Sequence, residues 1–315
     1  MRQREVGGCV DETRAGTVDF CQGGRRADGN EAVIARRTKL RACILFAALV
    51  SAFTPAWAKP ARLGDTADLR AWCTEGTTPQ QVIRGCSGLI ADSTASDADL
   101  SVAHYNRAIE YRKAGQYDRA VEDYSRALAL QPDDAGTYDN RGVAYVLMGD
   151  YDRGLQDFDT AITLQPKNIG AHFNRALTYE RMGRFTEALV GIQHVLALGL
   201  RSGAVYRARC SIRLKIGHLD EALADCQEAV RHQPRNPEFL DTLAFVHLRR
   251  KSDVQARATY DTALALAPWQ PIALYGRGIA KRRMGDIASG DADIAAARAI
   301  QPDVAQRFSG YGVQP

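Results

Sequence analysis

Apolar residues recur at helical spacing in two short runs within every 34 residues of this chain, from residue 101 to residue 304. In the first copy the first run covers residues 105–111 and stops before Gly115, a residue typical of the position just beyond a helix C-terminus. The second run covers residues 120–128 and stops before Pro132, because proline cannot continue a helix. Each unit is therefore predicted to be a hairpin of two antiparallel helices.

Residues of one type return at the same place in successive units. The turn glycine returns as Gly115, Gly149, Gly183, Gly217 and Gly285, and the closing proline as Pro132, Pro166, Pro234, Pro268 and Pro302. Such a period indicates stacked hairpins, because neighbours bury the apolar stripe that a single hairpin leaves exposed. The predicted units are residues 101–134, 135–168, 169–202, 203–236, 237–270 and 271–304.

The unit resembles the tetratricopeptide repeat. The copy that matches best carries Ala108, Tyr111, Gly115, Tyr117, Ala120, Tyr124, Ala127 and Pro132 at the positions of that pattern. The resemblance implies an all-α, right-handed α-solenoid of six helical hairpins with short helical caps. The fifth copy departs most, with His247 in place of the tyrosine and Lys251 in place of the turn glycine, and the third ends at Leu200 without a proline.

The segments that flank the repeats are predicted to cap the solenoid. Residues 59–100 are predicted to form an N-terminal helical cap, in which Thr78 and Gln81 complete a capping box at the start of a helix. Residues 305–315 are predicted to form a C-terminal cap or tail. Solenoids need such caps because their end faces are otherwise apolar and open to water.

The N-terminal region has the features of an exported protein. An uncharged run, residues 42–58, follows a basic segment and ends in the small-residue pattern Ala56-Trp57-Ala58, so residues 33–58 are predicted to be a signal peptide. Residues 1–32 are then a non-native or disordered extension. The alternative is an uncleaved membrane anchor, for which the run is short. We expect an exported, periplasmic protein with no stable membrane insertion after cleavage of the signal peptide.

Four cysteines remain after the signal peptide. An even number in an exported chain favours disulfides, and the places of the cysteines in the predicted hairpins favour Cys73–Cys86 in the cap and Cys210–Cys226 in the fourth repeat. In the repeat, the two cysteines lie at the same distance from the turn between antiparallel helices. The alternative is a set of small buried thiols.

Charged residues also keep to fixed places in the repeat. Arginine precedes the small residue of the first helix and aspartate precedes the aromatic position of the second helix in four units, as Arg107 with Asp123, Arg141 with Asp157, Arg209 with Asp225 and Arg277 with Asp293. We predict ion pairs within each hairpin, worth about 0.2–1 kcal/mol each if exposed. A basic stripe for an acidic ligand is the alternative. A second basic series, Lys113, Arg181, Lys215, Arg249 and Arg283, ends the first helices, where cations complement the helix dipole.

The resemblance implies that the first helices line a concave groove that binds peptides or helices. By position in the repeat, the groove candidates are Tyr105, Asn106, Ile109, Asn140, Val143, Phe173, Asn174 and Leu177. The asparagines can pair with the backbone of a ligand, or they can be ordinary solvated surface. The side chains of Asn140 and Phe173 are expected to face outward.

No catalytic, cofactor or metal-binding motif occurs in the sequence, and no cofactor is expected. Most of the net charge of +4 lies in the segment up to residue 58, so the mature chain lacks the basic field of a nucleic-acid-binding protein. We expect a noncatalytic scaffold or assembly factor for a protein or peptide partner, present as a monomer or weak oligomer. The alternative is a regulatory or substrate-presenting subunit of an envelope enzyme complex.

Overall fold

The computed structural model describes residues 9–12, 18–21 and 66–314. Strands β1 (Cys9–Glu12) and β2 (Val18–Cys21) pair antiparallel, with Cys9 opposite Cys21. The predicted signal peptide, residues 33–58, lies outside the described residues, as does the start of the predicted N-terminal cap. The remainder of the described chain is helical.

Fifteen α-helices lie between residues 66 and 309. They are α1 (Thr66–Glu75), α2 (Pro79–Ala91), α3 (Asp97–Lys113), α4 (Tyr117–Leu130), α5 (Ala135–Leu147), α6 (Tyr151–Leu164), α7 (Ile169–Arg181), α8 (Phe185–Ala197), α9 (Gly203–Lys215), α10 (Leu219–His232), α11 (Pro237–Arg249), α12 (Asp253–Leu266), α13 (Pro271–Arg283), α14 (Ile287–Ile300) and α15 (Val304–Ser309). Helices α3 to α14 form the six predicted hairpins. None of the helices in the described part of the chain is both long and apolar enough to span a membrane.

Side-chain caps start most of the first helices. The capping residues recur at the repeat period, directly before the first helix of a hairpin, and each accepts a backbone N–H of the first helical turn: Asp134, Asn168, Ser202 and Asn236. Helix α3 starts earlier than the repeat, at Asp97, because Ser96 caps it by accepting from the Asp99 amide at 3.2 Å. A cap satisfies an amide that has no partner within the helix.

The turn inside each hairpin requires one residue in the left-handed backbone region. Gly115 has φ 74°, and the Gln116 amide beyond it donates to the Tyr111 carbonyl at 2.8 Å, which closes the helix end. In the fifth hairpin Lys251 takes the same conformation with φ 60°, and the Ser252 amide donates to the His247 carbonyl at 2.9 Å. The departure of the fifth copy from the pattern therefore leaves the hairpin geometry unchanged.

The hairpins stack into a curved solenoid. Each first helix contacts the first helix of the next hairpin, whereas second helices of adjacent hairpins do not contact one another anywhere between residues 66 and 314. The side with the closer helix spacing is the inner side of the curve. The first helices α3, α5, α7, α9, α11 and α13 therefore line the concave face.

Small residues allow the two helices of a hairpin to approach closely. A methyl group added to Gly142 would lie 3.0 Å from the Gly154 carbonyl oxygen, and one added to Gly278 would lie 2.7 Å from that of Gly290. Ala108 and Ala120 fill the same places in the first hairpin and are fully buried. The recurring small residues of the sequence thus mark the crossing points of the helices.

Both predicted disulfides are present. Cys73–Cys86 joins α1 to α2 with a Cα separation of 4.6 Å, and Cys210–Cys226 joins α9 to α10 with a Cα separation of 5.5 Å. Helix α2 begins with the predicted capping box and packs against α3. At the other end α15 packs against α13 and α14, in the place that the first helix of a seventh hairpin would take.

The four predicted arginine–aspartate pairs form inside their hairpins. Arg141 Nε lies 2.8 Å from Asp157 Oδ2, and the other three pairs have the same bidentate or forked arrangement. The four aspartates are buried, so the pairs are not the exposed ones of the sequence-based estimate. Burial raises the pKa of Asp123, but hydrogen bonds with Arg107 and His104 outweigh it, and the pKa lies below its ordinary value.

The arginines also connect neighbouring hairpins, which the sequence pattern did not indicate. Arg141 Nη1 donates to Ser125 Oγ of the preceding hairpin at 3.0 Å. In the third hairpin Gly191 stands where the aspartate would be, and Arg175 pairs instead with Asp159 of the second hairpin at 2.6 Å. Arg141 and Arg175 therefore link their hairpins to the preceding ones.

Candidate peptide-binding groove

The concave face of the first hairpin is partly open. Val102, Tyr105, Asn106 and Ile109 share one face of α3, since residues three and four apart lie side by side on a helix. Val102 is 42% exposed, and the other three are half-buried. This face combines apolar, aromatic and amide groups, which is the mixture that captures a peptide by side-chain pockets and backbone hydrogen bonds.

The three asparagines on the concave face connect adjacent hairpins. Asn106 Nδ2 donates to the Cys73 carbonyl at 3.1 Å, and Asn140 Nδ2 donates to the Tyr105 hydroxyl at 3.0 Å. Asn174 Nδ2 donates to Asp139 Oδ1 at 2.9 Å. Each amide thus reaches back to the preceding hairpin, so the amide nitrogen has a structural partner in all three.

The remaining predicted groove residues are less accessible than expected. Phe173 is 1% exposed and Asn174 5% exposed, and Val143 and Leu177 are also buried. Phe173 and Leu177 belong to an apolar cluster with Ile192 of α8. The expectation that Phe173 faces outward is wrong for the described structure. Tyr105, Asn106, Ile109 and Asn140 are the half-buried members of the predicted set.

Strand β2 lies next to α7. Helix α7 contacts α6 and α8 behind it and α5 and α9 at its sides, and it also contacts β2. This strand belongs to the segment, residues 1–32, that we predicted to be a non-native or disordered extension.

The basic series at the ends of the first helices lies along one rim and is largely paired. Lys113 contacts Glu110 of its own helix at 2.9 Å, and Lys215 contacts Glu180 of the preceding hairpin at 2.8 Å. Arg283 Nη1 donates to the Leu248 carbonyl at 3.2 Å. These contacts fit the helix-terminus role of the series better than recognition of an acidic ligand.

At the C-terminal end the chain itself covers the concave face. Phe308 of α15 and Tyr311 beyond it both meet Phe245 edge to face, with ring centroids 5.2 Å apart in each case. The ring centroid of Phe308 also lies 4.8 Å from that of Tyr275. The sequence predicted a cap or tail over residues 305–315, which include Phe308 and Tyr311, but it did not indicate that these two side chains reach the fifth hairpin.

Asp241 lies under this cover without a partner for one oxygen. Its side chain is 4% exposed, and neither its Oδ1 nor the buried Tyr260 hydroxyl has a hydrogen-bond partner. Asp139 of the second hairpin, which is equivalent to Asp241, accepts a hydrogen bond from Asn174 of the third hairpin. The residue equivalent to Asn174 in the sixth hairpin is Gly276, which has no side chain to donate. Burial raises the pKa of Asp241 to about 6, against the opposing charge of Arg307. Gly276 at the repeat position of Asn174 was the feature of the sequence that could have indicated an unpaired Asp241.

The described residues contain no cluster of side chains that could hold a metal ion. No group of three or more histidine, cysteine, aspartate or glutamate side chains that could hold a metal ion occurs in the part of the chain that the structure describes. The ring centroids of His172 and His194 lie 4.5 Å apart with the rings tilted by 57°, and His172 Nε2 lies 3.0 Å from the Pro166 carbonyl oxygen, so His172 has a structural partner.

Three family models match the sequence. The models described as "Tetratricopeptide repeat" match residues 101–134 and 211–271, and the model described as "TPR repeat" matches residues 144–183. A comparison with curated protein sequences found no significant match. The three matches lie within the stretch of six hairpins.

Solved structures share the fold at low sequence identity. A tetratricopeptide repeat protein from Parabacteroides merdae has a TM-score of 0.62 and 15% identity, over 78% of this chain and 98% of that one. The pilF protein of Pseudomonas aeruginosa has a TM-score of 0.59 and 15% identity, over 68% of this chain and 98% of its own. A chain of the APC/C hetero-tetramer Cut9-Hcn1 has a TM-score of 0.62 and 12% identity, over 77% of this chain and 47% of its own. At these identities the likeness concerns the fold alone.

Proposed function

Because this chain is a tetratricopeptide-repeat protein, we propose that it is a noncatalytic scaffold that binds a protein or peptide partner along its concave face. The single observation that carries the proposal is the open face of α3, on which Val102, Tyr105, Asn106 and Ile109 lie together. Asn140 of α5 adjoins it through its hydrogen bond to the Tyr105 hydroxyl. Tyrosine beside apolar residues is typical of the anchoring part of an interface.

The partner is proposed to be an extended peptide or a helix. The first helices run side by side, so their groove crosses several hairpins and suits an elongated ligand. The arginine–aspartate pairs and the rim contacts of Lys113, Lys215 and Arg283 are already used within the solenoid, which leaves side-chain packing and amide acceptors as the means of recognition. No nucleic acid is proposed, since the charge outside the leader is close to neutral.

The proposed site of action is the cell envelope. Two disulfides in the described chain support it, because disulfides persist in oxidising compartments. The apolar run before Ala58, which resembles a signal peptide, also supports export. In this reading the protein is a periplasmic assembly factor, present as a monomer or weak oligomer.

A photocrosslinking experiment tests the groove. A photoreactive amino acid replaces Val102 on the concave face, and the same replacement of Val254, which is exposed on the second helix α12, serves as the matched control. We expect a discrete crosslinked species in the host from position 102 and none from position 254. Crosslinks from position 254 alone would assign binding to the outer helices. If the captured partner is an enzyme, its stimulation by the purified protein would favour the regulatory-subunit alternative.

A further inference from the structure

The C-terminal segment, residues 304–314, makes contacts that differ from those of a simple end cap. Helix α15 covers the last hairpin, but Phe308 and Tyr311 also reach Phe245 of α11, one hairpin further back. Phe308 is 1% exposed and Val313 is 4% exposed. The segment therefore lies in the concave groove of the fifth and sixth hairpins, where a ligand of a tetratricopeptide-repeat groove would lie.

Polar groups of the groove hold the same segment. The Arg249 guanidinium lies over the Tyr311 ring, 5.3 Å from its centroid, which is the geometry of a cation–π contact. Arg283 Nη2 donates to the Gln314 carbonyl at 3.4 Å. Both arginines belong to the rim series, so the rim contacts the side chain and the backbone of one extended segment.

The groove beneath the segment contains polar groups that the segment does not satisfy. Asp241 lies one helical turn before Phe245 and faces the same way, and its Oδ1 has no partner. Tyr260 is fully buried beside it, and its hydroxyl has no partner either. Arg307 of α15 acts on Asp241 only through its charge. Buried polar groups are rarely left unpaired, so two of them in one place indicate a ligand that α15 imitates incompletely.

The segment is also attached by short elements. Helix α15 has six residues, and the chain leaves it through Gly310 and through Gly312, which has φ 69°. A helix of this length has little stability of its own, so its position depends on the few apolar side chains that it inserts. Local release of such an end costs less free energy than global unfolding.

We propose that the groove of the fifth and sixth hairpins is a second peptide-binding surface, which takes a segment with the pattern basic–aromatic–x–x–aromatic and which the chain's own Arg307-Phe308-x-x-Tyr311 occupies in the absence of that partner. The proposal rests on the proposed use of the concave face for peptides but concerns other hairpins than α3 and α5. An incoming segment would place its basic residue on Asp241 and its aromatic residues on Phe245 and Tyr275.

The test uses the full mature chain and a fluorescent peptide with the sequence of residues 303–314. The variant Phe308→Ser/Tyr311→Ser releases the resident segment, and Ile287→Ser, an exposed apolar residue of α14, is the matched control. We expect the released variant to bind the peptide at least tenfold more tightly than the wild type and the control. A peptide with alanine at the first aromatic position should not bind. A folded released variant with no gain in affinity would overturn the proposal.

Two further measurements separate a displaceable segment from a fixed cap. Asp241→Asn in the released variant should weaken binding of the peptide that carries arginine and leave unchanged a peptide with alanine in its place. In the wild type, amides of residues 305–314 should exchange faster than those of α13, and excess peptide should accelerate them further. Exchange of these amides only at the rate of global unfolding would show a fixed cap. These outcomes are independent of the crosslinking from position 102, which tests the proposed function, so the two proposals can fail separately.

Discussion

Lys251 is a lysine in a backbone conformation that the other hairpins assign to glycine. A non-glycine residue in the left-handed region costs about 1–2 kcal/mol, and the greater freedom of glycine in the unfolded chain offsets part of the difference. The strain persists because two hydrogen bonds close this helix end, from the Lys251 amide to the Leu248 carbonyl and from the Ser252 amide to the His247 carbonyl, as at the glycine turn of the first hairpin.

Lys251→Gly should therefore raise the free energy of unfolding by about 1 kcal/mol. Urea denaturation measures the change, and the reciprocal substitution Gly217→Lys, at the equivalent turn of the fourth hairpin, should lower stability by a similar amount. A Lys251→Gly variant that is less stable than the wild type would mean that the lysine side chain makes a contact worth more than the backbone strain.

Asp241 makes stability depend on pH in the opposite direction to the paired aspartates. Its pKa in the folded chain is about 6, whereas an unfolded aspartate titrates near 3.9. Between these values the folded chain holds a proton that the unfolded chain has lost, so stability falls as pH rises through this window and is constant above it. A difference of about two pKa units corresponds to about 3 kcal/mol.

Asp241→Asn should remove this dependence and raise the free energy of unfolding at pH 7.5, by up to about 3 kcal/mol. The charged groups that face Asp241 are Arg307 of α15 and Glu238 of its own helix, and Tyr260 lies beside it. Thermal unfolding from pH 4 to pH 8 tests this, with Glu238→Gln as control. Parallel curves for Asp241→Asn and wild type would contradict the prediction.

At the scale of the helices, buried ion pairs join the two helices of the first, second, fourth and sixth hairpins. Asp157 receives two hydrogen bonds from Arg141, and the same arginine reaches Ser125 of the first hairpin. Breaking such a pair leaves a buried charge without compensation. For Asp123 and Asp293, whose pKa values lie below the ordinary range, this stabilisation is present above about pH 4 and is lost as pH falls below it.

Asp157→Asn should destabilise the protein by about 3 kcal/mol, several times the value expected for an exposed pair. Asp152→Asn, at an exposed position of the same helix, is the control and should change stability little. Chemical denaturation gives both values. Ligand affinity should be unchanged, since Asp157 lies behind the concave face; a loss of binding with unchanged melting would instead assign the pair to recognition.

At the scale of the whole molecule, the solenoid presents a concave face with two different halves. Hairpins one and two expose the mixed face of α3 and Asn140, whereas hairpins five and six carry the chain's own C-terminal segment. The proposed function concerns the first half. Only substitutions of exposed side chains there can change binding without changing the packing of the core. Phe173, for example, is unsuitable because its truncation would remove core packing.

Val102→Asp with Asn140→Ala should weaken partner binding at least tenfold, about 1.4 kcal/mol, once a partner is known. Val254→Asp, which introduces the same charge on the outer helix α12, should bind normally. Fluorescence anisotropy or calorimetry measures affinity, and circular dichroism checks that both variants keep wild-type helicity. Normal binding by the double variant together with weak binding by Val254→Asp would place the interface on the convex side.

The sequence by itself determined the hairpins, their number and their internal contacts, because these are local and periodic. Gly115 and its equivalents end first helices, small residues such as Gly142 and Gly154 mark helix crossings, and Arg141 and Asp157 meet across one turn. Cys210 and Cys226 were predictable as a pair for the same reason: antiparallel helices bring residues at equal distances from a turn to the same height.

The tertiary structure alone decided which concave residues are accessible. Burial at these positions depends on the neighbouring hairpins and on segments outside the repeat, so Phe173 and Asn140 differ although both were predicted to face outward. Asp241 Oδ1 has no partner where Gly276 of the next hairpin replaces the asparagine that pairs with Asp139, and the groove is covered because Tyr311 packs edge to face against Phe245. Such contacts join residues far apart in the chain, and a repeat period carries no information about them.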